Sequence, residues 1–270
     1  MSSRQRFGEV VRAEPVDLGL ACLLVGGEVD RDLDVDAALG ALDALAAAVR
    51  PHVPPGCSPR EAALGLQVGL LGYLGSARDY ADVRSSLLHE VLRRRRGLPL
   101  TMSVLWVEVA RRLGVAAAPV ALPGHVDVAI GTDSLVYADP FAGGEILDLP
   151  ALGALVRAAT GAPLRPEDLE PADPLDLLLR LLTNVRALAA RQDRALDSAR
   201  TRLWAVELSL LLPRHPVGLR RERGELLVRL GNHLGGAAEL EAYAQVVEGA
   251  DPVAAGQALG AARLARARLN

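Results

Sequence analysis

Apolar residues recur at intervals of three and four in three N-terminal stretches: 16–25, 35–49 and 59–74. This periodicity predicts amphipathic helices. The third helix has the clearest start, because Ser58 can cap it, Pro59 suits the first helical position and Glu61 completes a capping box. Together the stretches predict a helical layer over residues 1–78.

Two more helices are predicted in the middle of the chain, at 84–96 and 100–113. Gly97 and Pro99 end the first, and Gly114 ends the second, since glycine readily takes the left-handed conformation that closes a helix. The second helix has a continuous apolar face with a tryptophan beside it. We therefore expect it to be buried at the centre of the fold.

The pattern then changes to alternating and β-branched residues in 117–130 and 134–138, separated by a Gly-Thr-Asp turn at 131–133. Alternation of this kind, bounded by turn residues, predicts strands. The sequence predicts a sheet in this part of the chain alone.

A hairpin centred on Thr132 would place His125 directly opposite Asp139. Opposite residues in an antiparallel pair lie about 4.5–5.5 Å apart at Cβ and share one face of the sheet, so imidazole and carboxylate would be within hydrogen-bonding reach. Asp127 would lie on the same face and add a second carboxylate. A bulge in the turn would shift this register by one residue.

The remainder of the chain predicts helices joined by short polar linkers: 174–191, 195–212, 217–231, 234–248 and 252–268. Helix pairs with a proline at the joint resemble tetratricopeptide repeats, whose period is about 34 residues. The stretches from Asp193 to Pro216 and from Asn232 to Pro252 follow that arrangement, but the alanine and aromatic positions of the repeat are only partly kept. A plain helical bundle fits the pattern equally well.

Composition narrows the class of protein. The 270 residues are 50% hydrophobic, carry a net charge of −3 and include two cysteines, Cys22 and Cys57, which does not fit a disulfide-built secreted scaffold. The sequence predicts neither secretion nor membrane insertion, and it predicts a cytoplasmic protein that does not bind nucleic acid. The run Arg93–Arg96 is either a grip for phosphate or an acidic partner, or a solvated helix end.

Three blocks carry a more specific signal in their order and spacing: LLHEVLRRRRGLPLTMSVLWVEVARRLGV, LPGH and DPFAGG. They resemble the bacterial invasion-regulator-B (SirB-type) family, in which a transglutaminase-like core is joined to tetratricopeptide-like helices. The similarity covers nearly the whole chain and is strongest over 79–148. It implies a core in which a cysteine at a helix start, a histidine and an aspartate form a triad.

Carried over residue by residue, the resemblance matches His125 to the triad histidine and Asp139 to the triad aspartate. The place of the cysteine falls near Pro99–Thr101, which contains no cysteine, and the family generally lacks the thiol there. The chain departs from the family pattern at Asp127, where apolar residues are usual, and at Ser85, where asparagine is common.

Several chemical roles remain open at these positions. His125 and Asp139 form either a structural pair or a residual ligand-binding or catalytic site. Thr101 and Ser103 are weak candidates for a nucleophile, and the alternative is that each hydroxyl accepts a free N–H at the helix start. Cys57 is expected to be an exposed thiol on a loop rather than part of the site.

A metal site of His125, Asp127 and Asp139 has suitable ligand types, but the chain lacks the spaced second histidine or thiolates of a strong zinc signal. The sequence therefore predicts neither a metal nor a cofactor.

These observations predict a predominantly helical α+β fold with a small antiparallel sheet. The predicted domains are an N-terminal helical layer at 1–78, a transglutaminase-like core at 79–160 and a tetratricopeptide-like region at 170–270. The absent cysteine favours a non-catalytic regulatory or interaction protein that binds a protein or peptide through its C-terminal helices. The alternative is a hydrolase or acyl-transfer enzyme that uses His125 and Asp139 with water or an unrecognised nucleophile. The sequence predicts no oligomeric state.

Overall fold

The chain is predominantly helical, with one small sheet, in a computed structural model that describes residues 2–191 and 195–268. The helices are α1 Ser3–Val10, α2 Leu18–Gly26, α3 Val35–Val49, α4 Pro59–Gly69, α5 Leu88–Arg94, α6 Pro99–Leu113, α7 Leu149–Thr160, α8 Pro174–Ala190, α9 Ala195–Ser209, α10 Gly218–Arg229, α11 His233–Val247 and α12 Pro252–Ala267. The strands are β1 Ala117–Val120, β2 Asp127–Ile130, β3 Val136–Asp139 and β4 Glu145–Leu147. The predicted α+β class is confirmed.

The contacts divide the chain into two compact units. One comprises Met1–Arg6 and Pro15–Leu181, and the other comprises Phe7–Glu14 and Leu182–Asn270. The sheet, helices α2 to α7 and the first residues of α8 belong to the first unit. The second unit contains the rest of α8 and the helices that follow it.

Helix α4 begins as its sequence predicts. The Ser58 hydroxyl accepts a hydrogen bond from the Glu61 N–H, and the Glu61 carboxylate accepts one from the Ser58 N–H at 2.8 Å. The helix ends at Gly69, five residues before the predicted end at 74. Gly69 packs against Val49, and Gly72 takes a φ of +94°, which is incompatible with a continuing right-handed helix.

Helix α6 is the buried central helix that the apolar pattern predicts. Pro99 is the first residue of the helix, and Gly114 caps the C-terminal end of the helix with a φ of +76°. Trp106 is 1% exposed, and Met102 and Leu105 are completely buried. The helix contacts β1 and β2, so its first turns support the strands that carry the site.

The four strands form an antiparallel sheet in the order β1-β2-β3-β4. Val120 and Ala129 of the sheet form a small apolar cluster with Leu152 and Val156, so α7 packs on the sheet. The sequence pattern did not predict α1, β4 or α7. Strand β4 has only three residues, which is too short to show an alternating pattern.

In the second unit, each of the helices α9 to α12 packs against the next one along the chain. Helices α10 and α11 approach closely at two glycines. A Cβ on Gly236 would lie 2.7 Å from the Gly224 carbonyl oxygen. The predicted start of a helical pair at Asp193 lies outside the described residues.

Within the described ranges, no helix combines the length and the apolar character that crossing a bilayer requires.

Candidate functional site

His125 lies in a tight turn that leads into β2. The turn is closed by the His125 N–H, which donates to the Leu122 carbonyl oxygen at 3.2 Å, and Gly124 supplies the positive φ of +82° that it needs. The Arg180 guanidinium donates to the carbonyl oxygens of both Leu122 and His125, at 3.1 and 3.0 Å. The backbone of the LPGH turn is thus held both by its own hydrogen bond and by the side chain of Arg180.

The imidazole of His125 faces two carboxylates. Its Nε2 lies 3.0 Å from Asp139 Oδ1 and 3.5 Å from Asp127 Oδ1. Both are ion-pair distances, although the ring N–H does not point along either line well enough to make a regular hydrogen bond. The predicted proximity of His125 and Asp139 is therefore observed, with Asp127 added.

The predicted register of the hairpin is wrong, although the two side chains still meet. Strands β2 and β3 pair Val128 with Ala138 and Ile130 with Val136, which centres the hairpin on residue 133 and not on 132. His125 precedes β2 instead of lying within it. The observed register differs from the predicted one by two residues. Only a shift by an odd number of residues moves a side chain to the other face of a strand, so His125 and Asp139 remain on the same face.

Asp139 is held by the turn that follows β3. Its Oδ1 accepts the N–H groups of Phe141 and Ala142 at 2.8 and 3.2 Å. Gly144 has a φ of +84° and passes so close to Trp106 that a Cβ there would lie 2.3 Å from the indole ring. The DPFAGG motif therefore fixes the carboxylate and brings the chain back over α6.

The hydroxyls at the start of α6 are both used within the protein. The single proton of the Thr101 hydroxyl is shared between the carbonyl oxygens of Ser85 and Leu98, at 2.7 and 3.1 Å, and the Ser103 hydroxyl donates to the Val126 carbonyl oxygen at 2.8 Å. Both residues are buried. The expectation that each hydroxyl accepts an N–H at the helix start was wrong, since the start of α6 has no side-chain capping hydrogen bond within the described part of the chain, and each hydroxyl instead donates to a carbonyl. The Ser103 contact lies between His125 and Asp127 in the sequence, so the start of α6 supports the site directly.

Three further residues lie beside the His125 turn. The Phe141 ring packs edge-on against His125 with centroids 6.0 Å apart, and Tyr80 packs against Phe141 at 5.7 Å. The third is Arg180, which the sequence analysis did not single out. It comes from α8, 55 residues after His125, and no local pattern connects the two positions.

Burial and charge shift the pKa values of these groups. Burial lowers the pKa of His125, but the nearby carboxylates of Asp139 and Asp127 outweigh this effect and raise it overall. Burial raises the pKa of Asp127 to about 7, partly opposed by His125 and assisted by Asp139. Burial also raises the pKa of Tyr80, and the charge of Asp139 adds to this. The site thus favours a charged histidine and resists a second negative charge.

The two cysteines lie elsewhere. Cys22 is 1% exposed inside α2, and burial raises the pKa of its thiol. Cys57 is partly buried rather than fully exposed, and it lines a cleft with residues 130–132 at the turn of the hairpin. His125 is at the other end of β2, and four residues of strand span roughly 10 Å.

The arginines of the run Arg93–Arg96 have separate partners. Arg93 pairs with Glu90, Arg94 with Asp82 and Arg96 with Asp79, at 2.7, 3.0 and 3.2 Å. The Arg95 guanidinium lies 5.6 Å from the centroid of the Tyr73 ring. These contacts support the interpretation of the run as a helix end and not as a phosphate-binding site.

Two UPF0162 proteins match most of this chain. A UPF0162 protein of Xylella fastidiosa (strain Temecula1) is 36% identical over 183 residues, which cover 65% of this chain and 63% of the relative. The chain thus matches less than two thirds of that relative's length. The UPF0162 protein PA3419 of Pseudomonas aeruginosa is 29% identical over 213 residues, covering 77% of this chain and 78% of the relative.

A shorter segment of 55 residues, 20% of this chain, is 44% identical to 9% of the F-box only protein 21 of Mus musculus. The profile described as the transglutaminase-like superfamily matches residues 36–183, which include every residue of the site. The chain belongs to the transglutaminase-like superfamily.

Proposed function

We propose that this protein does not perform covalent acyl transfer and that it acts as a regulatory or protein-interaction protein. The observation that carries the proposal is the start of α6, next to the histidine. Thr101 and Ser103 are its hydroxyl residues, and both donate their protons to backbone carbonyls. No thiol is present between Pro99 and Leu113.

The chemical reason is the division of labour in a catalytic triad. The nucleophile forms the covalent intermediate, whereas the histidine and the carboxylate only activate and orient it. His125 and Asp139 lie as close together as such a pair, but the start of α6 offers them no thiol, and its two hydroxyls already donate their protons to backbone carbonyls. The thiols do not replace it, since Cys22 is buried with a raised pKa and Cys57 is at the far end of β2.

Within the superfamily, we propose that the chain belongs to the SirB-type group and that helices α9 to α12 form the tetratricopeptide-like region of that group. The successive packing of these helices supports this assignment, as does the close approach of α10 and α11. Such helical arrays bind peptides or proteins on their concave surfaces. The domain boundaries at 78, 160 and 170 and the cytoplasmic location remain parts of this proposal.

A second candidate is hydrolysis by water that His125 activates. Its support is the position of the imidazole, which is 15% exposed and lies next to two carboxylates. General-base assistance by itself contributes only about 10²–10⁴-fold to a rate. We therefore rank it below the non-catalytic function.

The proposal is tested by assaying the purified full-length protein for incorporation of an amine into a glutamine-containing peptide and for hydrolysis of peptides. We expect no turnover above the buffer blank, and the same result for His125→Ala and for the double variant Cys22→Ser, Cys57→Ser. Turnover that is abolished in His125→Ala, while the melting temperature of that variant is unchanged, would show that the protein is an enzyme. Loss of turnover in the cysteine variant would assign the activity to a thiol.

A further inference from the structure

Asp127 is a buried carboxylate without a hydrogen-bond donor in the described part of the chain, and the His125 imidazole lies 3.5 Å from its Oδ1. Its side chain is 0% exposed, and neither of its oxygens has a hydrogen-bond donor among residues 2–191 and 195–268. Removing an ionised carboxylate from water without compensation is strongly unfavourable. Most buried polar groups in proteins have a partner, so an orphaned carboxylate calls for a specific explanation.

The carboxylate points toward two other potential metal ligands. One ligand atom from each of His125, Asp127 and Asp139 can be chosen so that the three lie within 4.8 Å of one another. The distances from the imidazole Nε2 are 3.0 Å to Asp139 and 3.5 Å to Asp127. Ligand atoms about 2.1 Å from a tetrahedral ion are separated by roughly 3.4 Å, so two of the three separations already match.

We propose that His125 Nε2 and the carboxylates of Asp127 and Asp139 bind a divalent transition-metal ion. This inference goes beyond the proposed function and does not rest on it. The ion would displace the proton from His125 Nε2, neutralise the two adjacent carboxylates and coordinate the Asp127 oxygens, which have no hydrogen-bond donor among the described residues.

The ligand types favour a transition metal over Mg²⁺ or Ca²⁺. Imidazole is a good ligand for zinc and its neighbours in the periodic table, whereas calcium requires six to eight oxygen ligands. Three protein ligands leave at least one coordination position open. The histidine side chain is 15% exposed, so water or a small ligand can reach that position.

The surrounding contacts hold the ligands in place. The N–H groups of Phe141 and Ala142 donate to Asp139 Oδ1, and Arg180 fixes the backbone of the His125 turn. Ligands that are oriented by outer hydrogen bonds bind metals more tightly than free side chains do. These groups thus form a built site, and they are not three acidic or basic side chains that happen to be close on a surface.

The test is a calorimetric titration of chelator-treated, full-length protein with Zn²⁺. We expect one high-affinity site per chain and a melting temperature that rises with Zn²⁺ and returns to its starting value with EDTA, because an ion that binds only the folded state stabilises it. Asp127→Asn keeps the shape of the side chain and removes its charge. Loss of an outer hydrogen-bond partner already weakens metal binding by about tenfold, so this loss of a direct ligand should weaken Zn²⁺ binding at least as much.

Two controls have defined outcomes. Asp133→Asn removes an exposed carboxylate from the turn of the same hairpin and should leave Zn²⁺ binding unchanged. Cys57→Ser should also bind normally, which would exclude a site in a second cleft that Cys57 lines with His52 and Glu61. Loss of the high-affinity site in Cys57→Ser would overturn the proposal.

Other outcomes would also overturn it. One is the absence of binding in titrations with Zn²⁺, Mn²⁺ and Co²⁺, and another is unchanged Zn²⁺ affinity in Asp127→Asn. If Asp127→Asn does not fold, His125→Gln provides the second variant. The absorption spectrum of the Co²⁺-loaded wild-type protein then gives an independent readout, since bands of a nitrogen- and oxygen-ligated ion should be present in the wild type and absent from that variant.

Discussion

His89 is a half-buried histidine that resists protonation. Its Nδ1 has no hydrogen-bond partner within the described ranges, and a Cβ on Gly26 would lie 2.2 Å from that atom. Burial lowers the pKa of His89, and the charges of Glu90 and Asp30 only partly offset this effect. The folded protein therefore takes up this proton at a lower pH than the unfolded chain does.

This difference predicts how stability depends on pH. The unfolded chain binds the proton near its ordinary pKa of about 6.5, so the contribution of His89 to stability is complete above that pH. It is lost progressively as the pH falls from about 6.5 toward the depressed pKa of the folded state. Urea unfolding at several pH values between 7.5 and 5 should show a smaller loss of stability in His89→Leu than in the wild type. Equal slopes for the two proteins would contradict this assignment.

Gly143 and Gly144 provide a matched pair of substitutions beside the candidate site. Both have a positive φ, but a Cβ at 143 would meet no atom within 4 Å, whereas one at 144 would overlap Trp106. Gly143→Ala should cost about 1–2 kcal/mol of unfolding free energy, from backbone strain alone. Gly144→Ala should cost roughly 1–3 kcal/mol more, because it also overpacks a rigid core residue. Denaturant melts of the two variants measure the difference, and equal losses would show that Trp106 moves aside at little cost.

At the scale of helices, the contact between α10 and α11 depends on the absence of a side chain. A Cβ on Gly236 would lie 2.5 Å from Val228 Cγ2 and 2.7 Å from the Gly224 carbonyl oxygen. Gly236→Ala should therefore destabilise the unit by about 1–3 kcal/mol, despite the better helix propensity of alanine. Gly256→Ala on α12 is the control, because its Cβ meets open space and should stabilise the helix by about 1 kcal/mol. Thermal melts in which both variants are stabilised would mean that the two helices separate easily.

The ends of the helices and strands were predicted from the sequence only where local signals determine them. Helices with strong capping signals were located well, such as α4 with Ser58 at its start and α6 with Gly114 at its end. Where termination depended on packing, as at Gly69 against Val49, the predicted end was too late. The short strand β4 was missed, because three residues give no periodic signal.

The candidate site was predictable in part, because some of its contacts are local in sequence and others are not. His125, Asp127 and Asp139 are close in sequence, and the alternation of a strand was enough to place them on one side. The full burial of Asp127 and the contact of Arg180 with the turn depend on elements that are distant in sequence, and no local pattern contains that information.

At the scale of the whole chain, the two thiols should differ sharply in reactivity. A thiolate is the reacting species, so the partly exposed Cys57 should react with a disulfide reagent in the native protein, whereas Cys22 should not. We expect one thiol per chain to be modified rapidly and the second only after denaturant is added. Cys57→Ser should lack the fast phase. Fast modification of Cys22 in that variant would show that the packing around α2 opens readily.

The dual role of Asp139 Oδ1 also bears on how the relatives of this chain should be compared. This one oxygen accepts the N–H groups that fold the turn after β3, and it also lies against the imidazole. Selection for a correctly folded turn would therefore preserve the aspartate even in relatives that have lost catalytic activity. Conservation of this aspartate among relatives would therefore not distinguish an active enzyme from an inactive protein with the same fold. The residue at position 127, which has no part in the turn, would be the more informative one to follow.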